Sequence, residues 1–275
     1  MSKTPPEHSI TGTTRVFGVI ADPIAHVRAP MVFNPVFAER GVDAVLVPLH
    51  IPEGKLEETI RVLAAMPNMG GVCVTIPHKM ALARLCDELG TAAEITGAVN
   101  AVRFDGGRLI GDNFDGAGFV AGCLGEGIEI RDRKILMLGA GGAARAVAAA
   151  LAENEIAHLT VANRSIDRAE DLTARLRQYF PDLSVEVMKL EAGGPDLAGM
   201  DMVINTTSLG LHAGDALPCG LDSAGPQTVI ADIIMIPPIT PWMIEAHKKG
   251  LKTHPGRHML DYQRDLMFRF LKMAA

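Results

Sequence analysis

A chain of 275 residues is too long for one small core and suits two domains of about 100 to 150 residues each. Its 48% apolar and 21% charged residues exclude a disordered chain. A formal net charge of −6, with Lys and Arg spread along the sequence, offers no footprint for nucleic acid or for an acidic lipid surface.

The opening residues, MSKTPPEHSITGTT, hold no apolar run of signal-peptide type, and no later stretch supplies about eighteen uninterrupted apolar residues, so a cytoplasmic protein is expected. Short apolar, β-branched segments then alternate with segments of helical period, which predicts βαβ units around a mainly parallel sheet. The spacing predicts a strand over 15–20, a loop through Asp22-Pro23, and a helix entered near Pro30 and ended by Gly41. A strand over 44–48, a helix over 54–66, a buried strand over 71–76 and a helix from Lys79 follow. Farther on come a strand over 135–138, an alanine-rich helix from Gly142, and strands over 159–162, 202–205 and 229–232. Thr240-Pro241 opens a helix that Gly250 closes, and 259–273 carries apolar residues at helical spacing. Cys73, Cys86, Cys123 and Cys219 lack metal-ligand spacing and read as reduced core or pocket residues.

Gly139, Gly141 and Ala144 satisfy G-x-G-x-x-G/A between an apolar strand and a helix, with Ala140, Gly142 and Ala143 completing the turn. The pattern meets three demands: a tight turn, close backbone approach to a pyrophosphate, and close packing of helix on strand. Free N–H groups and the helix dipole then favour the anion. The next strand ends Ala162-Asn163-Arg164-Ser165, without the acidic residue that accepts hydrogen bonds from the ribose diol of NAD. The Arg164 guanidinium suits a 2′-phosphate, and Arg168 can close over the same group or the adenine, so NADP is favoured over NAD. Reading both arginines as a solvated surface leaves the missing carboxylate unexplained.

Lys79 follows a buried strand in VTIPHK, at the carboxyl end where open α/β sheets place ligands. A lysine at a helix start is more often a surface charge, and position alone does not assign it. Three further segments combine small residues, amides and carboxylates beyond what core packing requires: residues 97–100 with Asn100, residues 111–116 with Asp115, and residues 256–260 with Gln263. Together with residues 18–30, VTIPHK, GAGGAARA, VANRS, INTTSLG and residues 232–241, they resemble the shikimate dehydrogenase family in order and spacing over nearly the whole chain.

That resemblance implies an α/β fold with an N-terminal α/β substrate domain over 1–114, a Rossmann-type, doubly wound parallel-sheet NADP domain over 115–256, and a C-terminal helix, 257–275, returning to the first domain. It implies Lys79 and Asp115 as the catalytic pair, moving a proton jointly while hydride passes between NADP(H) and a ring secondary alcohol. Thr75, Asn100 and Gln263 bind substrate. Asn163, Ser165, Thr206 and Gly256 join Arg164 and Arg168 at the cofactor, and Gly210 and Met259 lie toward the nicotinamide. No metal is required, His26 and His78 read as structural or pocket hydrogen-bonding groups, and the expected partner is a small-molecule substrate of a monomer or homodimer.

Several positions depart from the family pattern. Val27 and Ala29 stand where two serines bind the shikimate carboxylate, Met235 where a tyrosine assists, Cys73 where an asparagine stands, and Phe114 where a threonine stands. Each lost partner of a buried anion costs on the order of 1.5 to 3 kcal/mol. Arg28, or else Arg257 or His258, is a candidate replacement cation, although alternation along an extended loop points Arg28 away from Val27 and Ala29. The pattern therefore predicts a divergent member acting on shikimate or on a less acidic cyclic polyol or hydroxy-ketone. A non-catalytic protein that binds NADPH or a metabolite is the alternative, and a quinate-type enzyme using NAD is disfavoured by Asn163-Arg164.

Overall fold

The computed structural model describes residues 10–25, 27–191, 194–212 and 214–273, so the reading of His26 lies outside it. The chain divides into two compact units, one running to Phe114 and resuming at Arg264, the other spanning Asp115–Gln263.

In the first unit β1 (Arg15–Ala21), α1 (Ala29–Arg40), β2 (Ala44–His50), α2 (Leu56–Ala64), β3 (Met69–Val74), α3 (Lys79–Ala83), β4 (Glu88–Leu89), α4 (Thr91–Thr96), β5 (Ala101–Asp105) and β6 (Arg108–Asp112) follow in order. Gly41 ends α1 in the left-handed conformation, the role that its position past the last apolar residue predicts. The sheet order is β2-β1-β3-β5-β6-β4, parallel across β2, β1 and β3 but antiparallel from β3 to β5 and from β5 to β6. The antiparallel hairpin turns on Gly106 and Gly107, with φ of 59° and 85°. Positive φ at both central residues matches the twist of a two-residue hairpin, a signal present in the sequence that the βαβ pattern overshadowed.

Strand alternation divides this core between two faces. Phe17, Val19 and Cys73 point to one, with Phe33 and Phe37 of α1; Ile20, Val72 and Val74 point to the other, with Ile60 of α2 and Leu82 of α3. The first face is completed by Met267, Phe268, Leu271 and Met273 from the end of the chain. Phe268 lies 5.8 Å from the Phe37 ring, with the Arg40 guanidinium 4.6 Å above it. Arg103 donates to the Phe270 carbonyl at 3.0 Å, the last of the terminal helix, and Arg15 to that of Lys272 at 2.8 Å in the turn that follows.

The second unit holds α5 (Asp115–Gly125), β7 (Lys134–Leu138), α6 (Gly142–Glu153), β8 (His158–Asn163), α7 (Ile166–Tyr179), β9 (Ser184–Lys189), β10 (Met202–Asn205), β11 (Val229–Asp232), α8 (Pro241–Lys248), β12 (Thr253–Pro255) and the start of α9 (Arg257–Phe270). Its sheet is parallel throughout, in the order β12-β11-β10-β7-β8-β9. The order reverses between β7 and β10, the switch point where open parallel sheets take their ligands. Short apolar runs, buried on both faces, anticipate β7, β8, β10 and β11, whereas the half-exposed β9 and the short β12 carry no such run.

By contrast α5 defies its composition. Each interior glycine costs a helix about 1 kcal/mol relative to alanine. Packing supplies the reason: a Cβ at Gly116 would fall into the Ala146 carbonyl of α6, and one at Gly118 into the Met259 carbonyl and Gln263 of α9. Bare backbone lets both helices approach α5, and the N-terminal end of α5 is Asp115.

Beside that packing, His254 is fully buried with its ring edge-on to Phe119 at 5.3 Å, and its Nδ1 lies 3.4 Å from Nδ1 of His258. Two facing imidazole nitrogens share one proton only if at least one ring stays neutral. Burial holds the His254 pKa down to about 4, from 6.5, with the neighbouring His258 and Lys252 acting in the same direction. Between pH 6.5 and about 4 the unfolded chain therefore binds a proton that the folded chain refuses, and stability falls as pH drops through that window. The loss is on the order of 3 kcal/mol. Urea midpoints measured from pH 7 to pH 4.5 should decline in the wild type and decline less in His254→Phe; identical slopes would show that His254 does not carry the effect.

Candidate functional site

At the carboxyl edge of the first sheet, backbone hydrogen bonds draw the substrate candidates into one strip. Thr75 N donates to Ile20 O at 3.2 Å, and Val74 N to Asn100 O at 2.8 Å. Strand β3 stops at Val74, two residues short of the sequence expectation, because Thr75 turns toward β1 ahead of the cis Ile76-Pro77 bond. His78 is 1% exposed, and its Nε2 lies 2.7 Å from Ile51 O, so the ring anchors the turn as a structural group. Lys79, half-buried, follows as the first residue of α3, and its carbonyl accepts from Val99 N at 3.0 Å. Asn100 is buried, its N donates to Asp112 O at 3.0 Å, and its Oδ1 accepts from Phe114 N at 2.9 Å. Thr75, Lys79 and Asn100 are thus brought together.

The departing positions also converge. Val27, Ala29 and Phe114 are half-buried and pack, with Phe270, against the cluster that contains Cys73; the Phe114 and Phe270 rings are 5.0 Å apart. Phe270 was not singled out from the sequence, because only the fold of the chain end brings it to this wall. Arg28 is exposed and occupies the N-cap position of α1. Of the other cations considered, Arg257 faces Asp261 at 3.4 Å, and His258 belongs to the cluster with His254 and Tyr262.

In the second unit, Gly139 follows β7 with φ of 111°, and a Cβ there would meet Thr206 Oγ1 at 2.6 Å. Thr206 Oγ1 donates to Leu138 O at 2.7 Å, which holds the β7 and β10 ends together. Gly141 is the N-cap of the twelve-residue α6, with no side chain accepting from its first N–H groups. Around Gly141 and Gly142 nothing lies within 4 Å of an added Cβ, whereas Ala144 is fully buried against the sheet and Ala140 is also buried. Open glycines, free N–H groups and a long helix dipole, with Ala143 in the first turn, form a cradle that fits a pyrophosphate.

Arg164, Ser165 and Arg168 are exposed after β8, while Asn163 Nδ2 donates to Ser165 O at 2.7 Å and shapes the loop. A cavity of about 460 Å³ opens beside Arg164, lined also by Leu190, Glu191, Leu217 and Pro218; sequence reasoning missed it because its walls come from distant loops. Arg145 of α6 pairs with Asp171 of α7 at 2.5 Å. Met259 and Gln263 lie against Gly118 of α5, the helix that Asp115 begins, and Gly256 presses on the Ile233–Ile234 backbone, next to half-buried Met235. Lys79 belongs to the first unit and Asp115 to the second.

Burial pushes all four thiols up to about 12, which suits inert packing residues. Among the described residues no helix is long and apolar enough to cross a membrane.

Two family models match: the shikimate dehydrogenase substrate binding domain over residues 19–102, and shikimate / quinate 5-dehydrogenase over residues 124–212. A shikimate dehydrogenase (NADP(+)) of Geobacter sulfurreducens is 37% identical over 258 residues, 92% of this chain and 89% of that protein. The chain belongs to the shikimate dehydrogenase family. The Bacillus subtilis shikimate dehydrogenase (NADP(+)) is 33% identical across 93% of this family member and 90% of its own length. Among solved structures, the Listeria monocytogenes shikimate 5-dehydrogenase in complex with shikimate and NAD aligns with a TM-score of 0.89 at 28% identity, covering 96% of this chain and 94% of that one. The ligand-free 5-ketofructose reductase of Gluconobacter sp. strain CHM43 aligns at 0.86 and 30%, covering 94% and 92%. This member of the shikimate dehydrogenase family is an NADP-dependent oxidoreductase of CH–OH groups, built from an N-terminal substrate domain and a Rossmann-like NADP domain.

Proposed function

We propose that this protein catalyses reversible hydride transfer between NADP(H) and a ring secondary alcohol or its ketone, shikimate and 3-dehydroshikimate or a close analogue, with Lys79 and Asp115 sharing the proton. The observation that carries this reading is the hydrogen-bonded strip of Thr75, Lys79 and Asn100 at the carboxyl edge of the first sheet. When bound, NADP supplies the carbon that takes or gives hydride. Thr75 and Asn100 orient substrate hydroxyls, Gln263 adds a further hydrogen bond, and Lys79 Nζ gives the proton to the ketone oxygen as an ammonium or takes it from the hydroxyl as a neutral amine, with Asp115 orienting it. A cytoplasmic location fits this reading, and its partner is a small molecule.

One observation favours a less acidic substrate within this class. Val27, Ala29, Phe114 and Phe270 form an apolar wall with Cys73, which gives a carboxylate no donors of its own. Arg28 is the cation best placed along the chain to replace them. The likeness to a 5-ketofructose reductase supports trying uncharged ketoses and cyclic polyols as well.

Purified protein mixed with shikimate and NADP⁺, then with NAD⁺, should produce reduced-nicotinamide absorbance chiefly with NADP⁺. In Arg164→Ala the KM for NADP⁺ should rise roughly 10- to 100-fold, the worth of a charge-assisted hydrogen bond, with NAD⁺ little affected. If shikimate turns over with an ordinary KM, the wall does not exclude carboxylates. If neither shikimate nor any neutral ring alcohol is oxidised while NADPH binds, the protein is a binder and not an enzyme.

A further inference from the structure

The last residues of β10 and β11, Asn205 and Asp232, are paired in register and both are 0% exposed. Their strand neighbours Ile204 and Ala231 are apolar, and core packing alone would continue that pattern. Instead Asn205 Nδ2 donates to both Asp232 carboxylate oxygens, at 3.2 Å each, and to Leu209 O at 3.0 Å. Asn205 Oδ1 accepts from Thr207 N and Thr207 Oγ1 at 3.0 and 2.7 Å. Asp232 Oδ1 accepts from Ile234 N at 3.0 Å, and Oδ2 from the Thr240 hydroxyl at 2.9 Å. Thr240 Oγ1 in turn accepts from Met243 N at 3.4 Å, capping α8. One buried pair thus ties the loop after β10, the loop after β11 and the start of a helix. The two loops also touch: a Cβ at Gly210, whose φ is 105°, would lie 3.5 Å from Ile234 and 3.6 Å from Thr240.

Position gives this knot a task. A dinucleotide straddles the switch point of an open parallel sheet, one half on each side. Arg164 stands after β8, which puts the 2′-phosphate half over β8 and β9 and leaves the nicotinamide half to the ends of β10 and β11. We propose that Asp232, held by Asn205 and Thr240, is a positioning residue that sets loops 206–210 and 233–240 at the distance and angle the nicotinamide end requires. The proposal rests on the NADP reading above. Burial raises the Asp232 carboxyl, while the Ile234, Asn205 and Thr240 donors oppose that rise, so the knot depends on keeping all three.

The test compares wild type, Asp232→Asn and Thr240→Val. Calorimetry gives Kd for NADP⁺ and for adenosine 2′,5′-bisphosphate, which reports the adenosine half alone. Kinetics with 4-deuterated NADPH give kcat and the primary isotope effect, and emission from Trp242, the one tryptophan of the chain, buried on α8, reports whether that helix stays seated. Adenosine 2′,5′-bisphosphate should bind within about twofold of wild type, NADP⁺ about fivefold or more weakly, and kcat should fall about tenfold or more with a larger isotope effect. Unchanged NADP⁺ affinity and kcat alongside a shifted Trp242 emission or Tm would reduce the knot to a helix cap and overturn the proposal. Thr240→Val keeps the buried pair and carries the test if Asp232→Asn fails to fold. Failure of the wild type to bind adenosine 2′,5′-bisphosphate would instead overturn the NADP reading on which the proposal stands.

Discussion

Lys79→Ala should lower kcat by roughly 10²- to 10⁴-fold, the range that a positioned proton donor or acceptor contributes. The expectation follows from how the fold presents this side chain. Buried β3 ends at Val74, and His78 locks the following turn to Ile51 O, so Lys79 leaves a rigid anchor. Its carbonyl is fixed by Val99 N, next to the Asn100 that holds Phe114. A proton carrier on so constrained a backbone is worth more than a surface charge on a free helix end. Affinity for NADP⁺ should persist, because the glycine cradle and Arg164 belong to the unit spanning Asp115–Gln263. Turnover in the alanine variant within about twofold of wild type would remove Lys79 from the reaction, and Asp115→Asn, with a displaced pH profile, would then be the place to look.

Gly116→Ala should be the most damaging methyl group that can be added to the second unit. The new Cβ would run into the Ala146 carbonyl, a backbone atom of α6 that cannot step aside as a side-chain tip can. Overpacking of this kind costs about 1 to 3 kcal/mol, only partly offset by the better helix propensity of alanine, about 1 kcal/mol. A fall in Tm of several degrees is expected, about 2 to 4 °C per kcal/mol for a domain of this size. Gly142→Ala makes the contrast. Nothing lies within 4 Å of its Cβ, so Tm should hold, while NADP⁺ should bind less tightly because the methyl group stands where phosphates approach α6. Equal melting temperatures for Gly116→Ala and wild type would mean that α5 and α6 are packed more loosely than their glycines indicate.

These two glycines show what kind of information a sequence carries. Strands β7, β8, β10 and β11 of the second sheet, the Gly41 and Thr240-Pro241 helix boundaries and the glycine turn after β7 were legible because each is a local demand: an apolar run buried on both faces, a left-handed cap, a hydroxyl accepting from Met243 N, a backbone that must approach a phosphate. Placement of the candidate residues was legible for the same reason, with Lys79 after a buried strand and Arg164 directly after β8. The Gly106-Gly107 hairpin was local too, but its reversal of strand direction ran against the dominant βαβ rhythm.

Nonlocal packing decided the rest. Helix α5 forms against its propensity because α6 and α9 need its bare backbone, and no window of eleven residues contains that fact. Phe270 meets Phe114 only because the chain end returns to the first unit, and Asn205 meets Asp232 only because β10 and β11 pair in register across twenty-seven residues. By itself the sequence determined the family, the cofactor class and the candidate catalytic side chains, since these follow from residue type and short spacing. Tertiary structure alone decided which polar groups are buried together and which apolar groups share a wall, because burial and hydrogen-bond partnership are properties of neighbours in space.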